Sequence, residues 1–380
     1  MKEIEFLEDT YIRRSVDDLD VMPIGIISAN SKIMVKKETV VGHRINKDYV
    51  NGVIISSDKW YQCQNGWYYW YGGTRAGIQE AKGEIAEPEP QVDIATFDFD
   101  NLPESVLVPE VIGKYNIIDG FWKKKLFGKD IKIAVLDQGF KPNFDILPRE
   151  KKFEFTTEDG SQSFFRKSNH GGKSLALIKY CSSNYFAFAP KSDLYFFLVE
   201  SNATNDREEL AQNIIKSIDK CIELGVEFIN LSMGIDKSSI TTETANKLEQ
   251  AIDRFNQQGI FICAGGNDFV DDKSSKNIIP GSFDNTISVG SFIKTNNGIE
   301  DKSMIYDHTN FRIESDKVKM PMNERPYSKS SCASVIMTSM LALAKSKMPD
   351  KKATDIFNAL KSYKPTDRIF DFNEFLNKLS

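Results

Sequence analysis

From residue 110 onward, short apolar runs alternate with stretches of helical period. The runs IKIAVL (131–136), LYFFLV (194–199), EFINLS (227–232), IFICAG (260–265) and NTISVG (285–290) are rich in β-branched and aromatic residues, as strands buried on both faces must be. Between them Leu210, Ile214, Ile215, Ile218 and Ile222 fall on one helical face, and Ala245, Leu248, Ile252 and Phe255 on another. This alternation predicts an α/β domain, a parallel sheet with helices on both faces. Chemistry in such sheets collects beyond the carboxyl ends of the strands. The first run leads into Asp137-Gln138-Gly139 and the fourth into Gly266-Asn267-Asp268. Two more helices are expected to begin near His170 and Ser331, so four polar groups converge on one rim.

The first 76 residues follow a different rule. MPIGIISANSKIMVKK, VNGVIISSDKWYQ and CQNGWYYWYGG are dense in aromatic and β-branched residues and broken by Asn-Gly and Ser. That pattern predicts a small all-β barrel, with a tight hairpin at Asn65-Gly66. In AKGEIAEPEPQVDIATFDFDNLPES, prolines and acids break any period, which predicts an extended linker around Pro88 and Pro90. The expected organisation is a barrel over 1–76, an acidic linker over 77–107 and an α/β domain over 108–380. FWKKKLFGK (121–129) reads as a solvated helix face ending at Gly128.

Composition narrows the function classes. A chain of 380 residues suits two or three domains. Hydrophobic content of 41% with 27% charged residues is that of an ordinary globular protein. The 49 basic and 54 acidic side chains leave a net charge of -5 and are spread along both halves, which excludes the broad basic surface that nucleic-acid binding needs. Five cysteines without CxxC spacing read as reduced side chains, Cys221 and Cys263 as small buried hydrophobes. MKEIEFLEDTYIRR lacks the apolar core of a secretory signal, and no run approaches the roughly 20 apolar residues that cross a bilayer. The expectation is a soluble cytoplasmic protein with no membrane partner.

A serine hydroxyl is a poor nucleophile at neutral pH; it needs an adjacent base, and the base needs a third group to fix its tautomer. Of the three histidines, His43 lies in the barrel region and His308 in the polar stretch IYDHTNFR. His170 is followed by Gly171-Gly172, small residues that let a substrate approach; it is either a base or a structural cap. Asp137 ends an apolar strand, either aimed at the rim or bonding its own turn. Ser331, among Ser328, Ser330 and Ser334, is either the nucleophile or a helix N-cap. Asn267 follows Ala264-Gly265-Gly266, where backbone can pass close to a substrate and the amide can reach a developing negative charge; the alternative is a plain loop asparagine.

Several fragments together resemble the subtilisin family. AVLDQGF (134–140) is similar to its Asp motif, NHGGKSLALI (169–178) to its His-Gly motif, SKSSCASVIMTSM (328–340) to its Ser motif and CAGGNDF (263–269) to its oxyanion segment. INLSMG (229–234), FAPKSDLYFFLV (188–199) and IIPGSFDNTISVGSF (278–292) also match, in the family's order. The likeness spans about residues 108–346. It implies a subtilisin-like three-layer fold and a serine endopeptidase acting on protein or peptide substrates, with Asp137, His170 and Ser331 as triad and Asn267 as oxyanion donor. It also implies that Ser232, Met233 and Gly234 form an edge that pairs with extended substrate and walls the specificity pocket, and that Gly265 and Gly266 bind substrate as well; Met233 could equally be packing.

The sequence departs from the family at three places: Lys173 stands for a histidine, Lys329 for a glycine two before the nucleophile and Val335 for a proline. No calcium loop is recognisable after the His170 helix, so no metal and no cofactor are expected. The first domain resembles a bacterial Src-homology-3-like module, through TYIRRS (10–15) and DKWYQCQNGWYYWYGG (58–73). That likeness implies a role in partner recognition or regulation, with Trp60, Trp67, Tyr69 and Trp70 lining a peptide groove or filling a small core. Two functions fit these residues: an endopeptidase, whose acidic linker rests in the cleft until removed, and a catalytically silent binding protein that keeps the fold.

Overall fold

A computed structural model describes residues 2–5, 10–13, 25–27, 32–48, 54–63, 68–70, 94–100, 109–141, 144–154, 164, 169–182, 185–200, 206–267, 278–322 and 324–380. They belong to two compact units, one of Met1–Pro88 with Lys141–Asn143 and Phe165–Lys167, and one of Glu89–Phe140, Phe144–Phe164 and Ser168–Ser380.

In the first unit, six strands are β1 (Lys2–Glu5), β2 (Thr10–Arg13), β3 (Gly25–Ile27), β4 (Lys32–Asp48), β5 (Ile54–Cys63) and β6 (Tyr68–Trp70). They form one antiparallel sheet in the order β1-β4-β5-β6-β2-β3. The long β4 shifts register between Val35 and Thr39 and again between Val41 and Ile45, irregularities that add local twist to a strand. Ile4, Val35, Tyr61 and Tyr69 make a small core with Ile33 against it. Trp60 and Tyr69 are buried, which removes them from any open groove; Trp67 and the Trp70 side chain lie outside the described residues. The strands flanking Asn65-Gly66 do pair antiparallel, Trp60 with Trp70 and Tyr61 with Tyr69, while the turn itself lies outside the described residues.

The second unit is built on an eight-stranded, mainly parallel sheet. Its strands are β7 (Lys132–Asp137), β8 (Lys152–Glu154), β9 (Asp193–Leu198), β10 (Phe228–Leu231), β11 (Ile260–Ala264), β12 (Ile287–Thr295), β13 (Gly298–Asp301) and β14 (Phe311–Glu314). The order is β13-β12-β11-β10-β7-β9-β8, with β14 also paired to β12; only β13 runs antiparallel. The chain therefore lays β8 and β9 to one side of β7 and then crosses to β10 on the other. That reversal makes the crevice beyond β7 the place where such sheets bind ligands.

The main helices are α1 (His170–Lys179), α2 (Arg207–Leu224), α3 (Thr242–Phe255), α4 (Lys329–Lys347), α5 (Ala353–Ser362) and α6 (Phe372–Leu379). Asp206 caps α2 by accepting from the amides of Glu208 and Glu209, and Gly225 ends it in the left-handed conformation. Thr241 caps α3 in the same way. Leu210, Ile214 and Ile218 of α2 join Ala245, Leu248, Ile252 and Phe255 of α3 against Ala134, Leu136, Ile229 and Phe261 of the sheet. Each Leu, Ile or Phe side chain among them contributes roughly 1.5–3 kcal/mol on burial. Ile215 and Ile222 pack at the margin of this layer. Asn230, alternating with Ile229, meets the opposite layer, where its Oδ1 accepts from Thr338 Oγ1 of α4 at 3.4 Å. The helices thus cover both faces, as the alternation of runs implies.

Two expectations need correction. Residues 94–100, counted above with the extended linker, fold onto the second unit, because Phe97 and Phe99 find aromatic partners. Phe97 meets Phe186 edge-on at 4.5 Å and Phe99 lies 5.5 Å from Trp122. In FWKKKLFGK, Phe121, Trp122 and Phe127 are buried and only the lysines face solvent, so the segment anchors the unit rather than lying on it as a solvated helix. Among the described residues, no helix is long and apolar enough to cross a membrane. Cys181, Cys221, Cys263 and Cys332 are free and buried.

Candidate active site

Asp137 is the last residue of β7, pairs with Leu198 of β9 and is fully buried. An isolated buried carboxylate is costly, so its oxygens need donors. Oδ1 accepts from His170 Nδ1 at 2.7 Å and from the Gln138 amide at 2.7 Å, and Oδ2 accepts from Ser174 Oγ at 3.0 Å. A pure turn role for Asp137 is thereby set aside. Its one local bond is to Gln138, and its other two run to α1.

The glycines after His170 explain how α1 comes so close. The Gly171 amide donates to Gly139 O at 3.0 Å, and a Cβ there would lie 2.8 Å from that oxygen and 2.9 Å from the Phe196 ring. A Cβ on Gly172 would stand 2.1 Å from Asn169 Oδ1. Both glycines are buried, so Gly171 serves the approach of α1 to the sheet and Gly172 its packing on Asn169 and Phe144, rather than substrate access, which corrects the expectation above.

Burial works to lower the His170 pKa, but the charge and hydrogen bond of Asp137 outweigh it and the net direction is upward; Lys173 opposes and Glu200 assists. Because Nδ1 faces a carboxylate, it carries the proton, and the neutral ring keeps Nε2 as its basic nitrogen. The Tyr327 ring stands edge-to-face to His170 at 5.5 Å, and its hydroxyl lies 3.0 Å from Ser174 Oγ.

Ser331 lies in the first turn of α4, not at its N-cap, which is Ser328. It is nearly buried, at 6% exposure, and its Oγ donates to the Ser232 carbonyl at 2.9 Å. No hydrogen bond joins Ser331 Oγ to His170 among the described residues. The structure therefore brings Asp137 and His170 into contact and leaves the Ser331 hydroxyl engaged elsewhere. Lys329, two residues earlier, adopts φ 66°, a left-handed conformation that costs a non-glycine residue about 1–2 kcal/mol. This backbone requirement is the physical reason a glycine suits the position.

Asn267 follows β11, and its Oδ1 accepts from both the amide and the hydroxyl of Ser330, at 3.1 and 2.7 Å. The acceptor end of the amide is thus fixed to the start of α4 and the NH2 end is left to donate. Ser232 is buried, with its Oγ accepting from Asn230 Nδ2 at 2.8 Å. Met233 packs partly buried against the main core, and Gly234 is exposed before the short pairing of Ile235 with Ile279. Gly266 takes φ 113°, with the Tyr306 ring where a Cβ would go. His308, passed over in its polar stretch, sits behind these glycines. Its Nε2 donates to Gly265 O at 3.3 Å, its ring stacks on Tyr306 at 5.0 Å, and burial pushes its pKa down. Among the described residues, no group of three or more His, Cys, Asp or Glu side chains is placed to hold a metal.

A buried carboxylate at the end of a parallel strand, bonded to the first residue of a helix, with serine and asparagine at the start of another, is the arrangement the subtilase motifs encode. The sequence profile of the subtilase family matches residues 128–364, and the chain belongs to that family. It is 27% identical over 151 residues to the minor extracellular protease Epr of Bacillus subtilis strain 168, covering 39% of this chain and 21% of that protein. It is 26% identical over 205 residues to the major intracellular serine protease of the same strain, covering 51% of this chain and 59% of that protein. The chain thus spans about a fifth and about three-fifths of the lengths of these relatives. In fold it is similar to MycP1 from Mycobacterium smegmatis, with a TM-score of 0.53 at 17% identity, covering 76% of this chain and 88% of that one.

Proposed function

We propose that the chain is a serine endopeptidase that hydrolyses peptide bonds of protein or peptide substrates through an acyl-enzyme. The observation that carries the reading is the 2.7 Å bond between His170 Nδ1 and the buried Asp137 carboxylate. A base held in one tautomer beside a helix start bearing a serine is what alcohol activation needs. Ser331 Oγ exchanges the Ser232 carbonyl for His170 Nε2 and attacks the scissile carbonyl as His170 takes its proton. Asn267 NH2 and the amides at the start of α4 receive the charge that develops on the carbonyl oxygen. His170 then returns the proton to the leaving amine, and water repeats the sequence to free the acid. Ser232, Met233 and Gly234, together with Gly265 and Gly266, hold the substrate backbone. No metal or cofactor enters these steps.

The first unit, residues 1–76 with the segment that follows, is assigned to partner recognition or regulation. Its six antiparallel strands support a Src-homology-3-like module. A cytoplasmic site of action is supported by Cys181, Cys221, Cys263 and Cys332, which are free thiols among the described residues.

One observation favours a second reading, a silent binding protein on the same fold: the Ser331 hydroxyl is bonded to Ser232 O, beside a strained Lys329. A serine-directed fluorophosphonate separates the two. A peptidase is labelled and loses its hydrolysis of a denatured protein, and Ser331→Ala shows neither labelling nor hydrolysis; a binding protein resists the reagent in both forms.

A further inference from the structure

The second carboxylate oxygen of Asp137 has a partner that the triad does not require. Ser174 sits one helical turn after His170 on α1 and is fully buried. Its Oγ reaches Asp137 Oδ2 at 3.0 Å and the Tyr327 hydroxyl at 3.0 Å, and lies 3.5 Å from its own helix carbonyl at His170. Each hydroxyl has one proton, and a carboxylate only accepts. Tyr327 therefore donates to Ser174, and Ser174 donates to Asp137. The tyrosine is itself pinned, because its amide and carbonyl both pair with Val318 at 2.8 Å. Its hydroxyl also interacts with the Ser232 side chain, and the carbonyl of that same residue holds the Ser331 proton.

We infer that Ser174 and Tyr327 are positioning residues of the reaction, forming a directed hydrogen-bond chain that locks the Asp137 carboxylate with its other oxygen aimed at His170 Nδ1. The inference rests on the proposed triad. A carboxylate gripped on one oxygen can rotate about its terminal bond, whereas one gripped on both cannot. The site is dry on this side, since Asp137 and Ser174 are fully buried, so a lost donor leaves an unsatisfied anionic oxygen that water does not cover. The chain also acts on proton affinity. Its dipoles stabilise the pair more when it bears a net negative charge, as carboxylate with neutral imidazole, than when His170 is protonated and the pair is neutral. Removing them makes the pair take up its proton at higher pH. The other charged groups acting on His170 are Lys173 and Glu200, and neither belongs to the chain.

The test compares full-length wild type with Ser174→Ala, Ser174→Thr, Tyr327→Phe and Ser331→Ala, in peptide hydrolysis against pH. Ser174→Ala should lower kcat about tenfold with KM unchanged and move the acid limb of kcat/KM to higher pH. Ser174→Thr should restore both, and Tyr327→Phe should move both in the same direction by less. Imidazole NMR of His170 in the Ser331→Ala background reads the same upward movement without turnover. Should Ser174→Ala fail to fold, Tyr327→Phe and the threonine variant carry the comparison. Wild-type kcat and an unmoved acid limb in Ser174→Ala, beside a dead Ser331→Ala, overturn the chain and leave the triad standing. A Ser331→Ala protein as active as wild type overturns the triad, and the positioning role with it.

Discussion

The Asp137–His170 arm and the Ser331–Asn267 arm of the site differ in how their polar atoms are partnered. On the first arm, both Asp137 oxygens are engaged, and the bond to His170 Nδ1 is the one the proposed reaction would use. On the second arm, Ser331 donates to the Ser232 carbonyl, Asn267 accepts from Ser330, and the chain enters α4 through a left-handed lysine, Lys329. In the proposed mechanism the base, His170, is thus preorganised and the nucleophile, Ser331, is held in reserve. What has to rearrange for chemistry lies on the serine side and amounts to the exchange of one hydrogen bond.

The largest effect should come from breaking the preorganised arm. Asp137→Asn removes the charge that holds His170 in its tautomer and should lower kcat by about four orders of magnitude. The sign of the pH effect follows from the upward direction of the His170 pKa. That bias comes from Asp137 acting against burial, so the residual activity of Asp137→Asn should have its acid limb at lower pH. The stability linked to this proton runs the other way from activity. The folded pKa lies above the ordinary 6.5, so the contribution is fully present below that value and is lost as pH rises through the folded pKa. Thermal melts of wild type and Asp137→Asn across that window check it.

An intermediate effect should follow from breaking the second arm. Asn267→Ala removes one donor to the developing oxyanion and should cost about two to three orders of magnitude in kcat with little change in KM. Because Asn267 also accepts from Ser330, Asn267→Asp is the sharper variant. It keeps that acceptor and replaces the NH2 by a carboxylate oxygen whose negative charge opposes the developing oxyanion, so kcat should fall at least as far while the bonds from Ser330 and the melting temperature hold. The smallest effect should come from relieving the strain. Lys329→Gly removes the left-handed penalty but adds freedom to the unfolded chain, for a net gain of about 1 kcal/mol, or about 2 °C in Tm. A loss of stability would show that the lysine side chain contributes more than its backbone costs.

The sequence made the central strands legible because burial on both faces leaves runs such as IKIAVL and IFICAG with no polar interruption. The edge strands Lys152–Glu154, Gly298–Asp301 and Phe311–Glu314 escaped notice. They are only three or four residues long and mix charged with apolar positions, a pattern that turns and short loops share. Asp137, His170, Asn267 and Ser331 could be singled out as candidates because each ends or follows a strand or lies at the start of a helix, where local pattern and chemistry coincide. Ser174 and Tyr327 could not be paired, since 153 residues separate them and nothing local marks a buried tyrosine as the partner of one helical serine. The i, i+4 spacing of His170 and Ser174 was the available signal, and it places both on one face of α1. His308 was missed for a related reason: its stretch is polar, and only the fold brings it behind Gly265.

The most direct test of the account is the site at which a fluorophosphonate attaches to the full-length protein, mapped by mass spectrometry of its peptides. The account predicts one adduct, on Ser331, formed in wild type and lost in His170→Ala. An adduct on any other residue, or one that forms equally without the His170 imidazole, would contradict it.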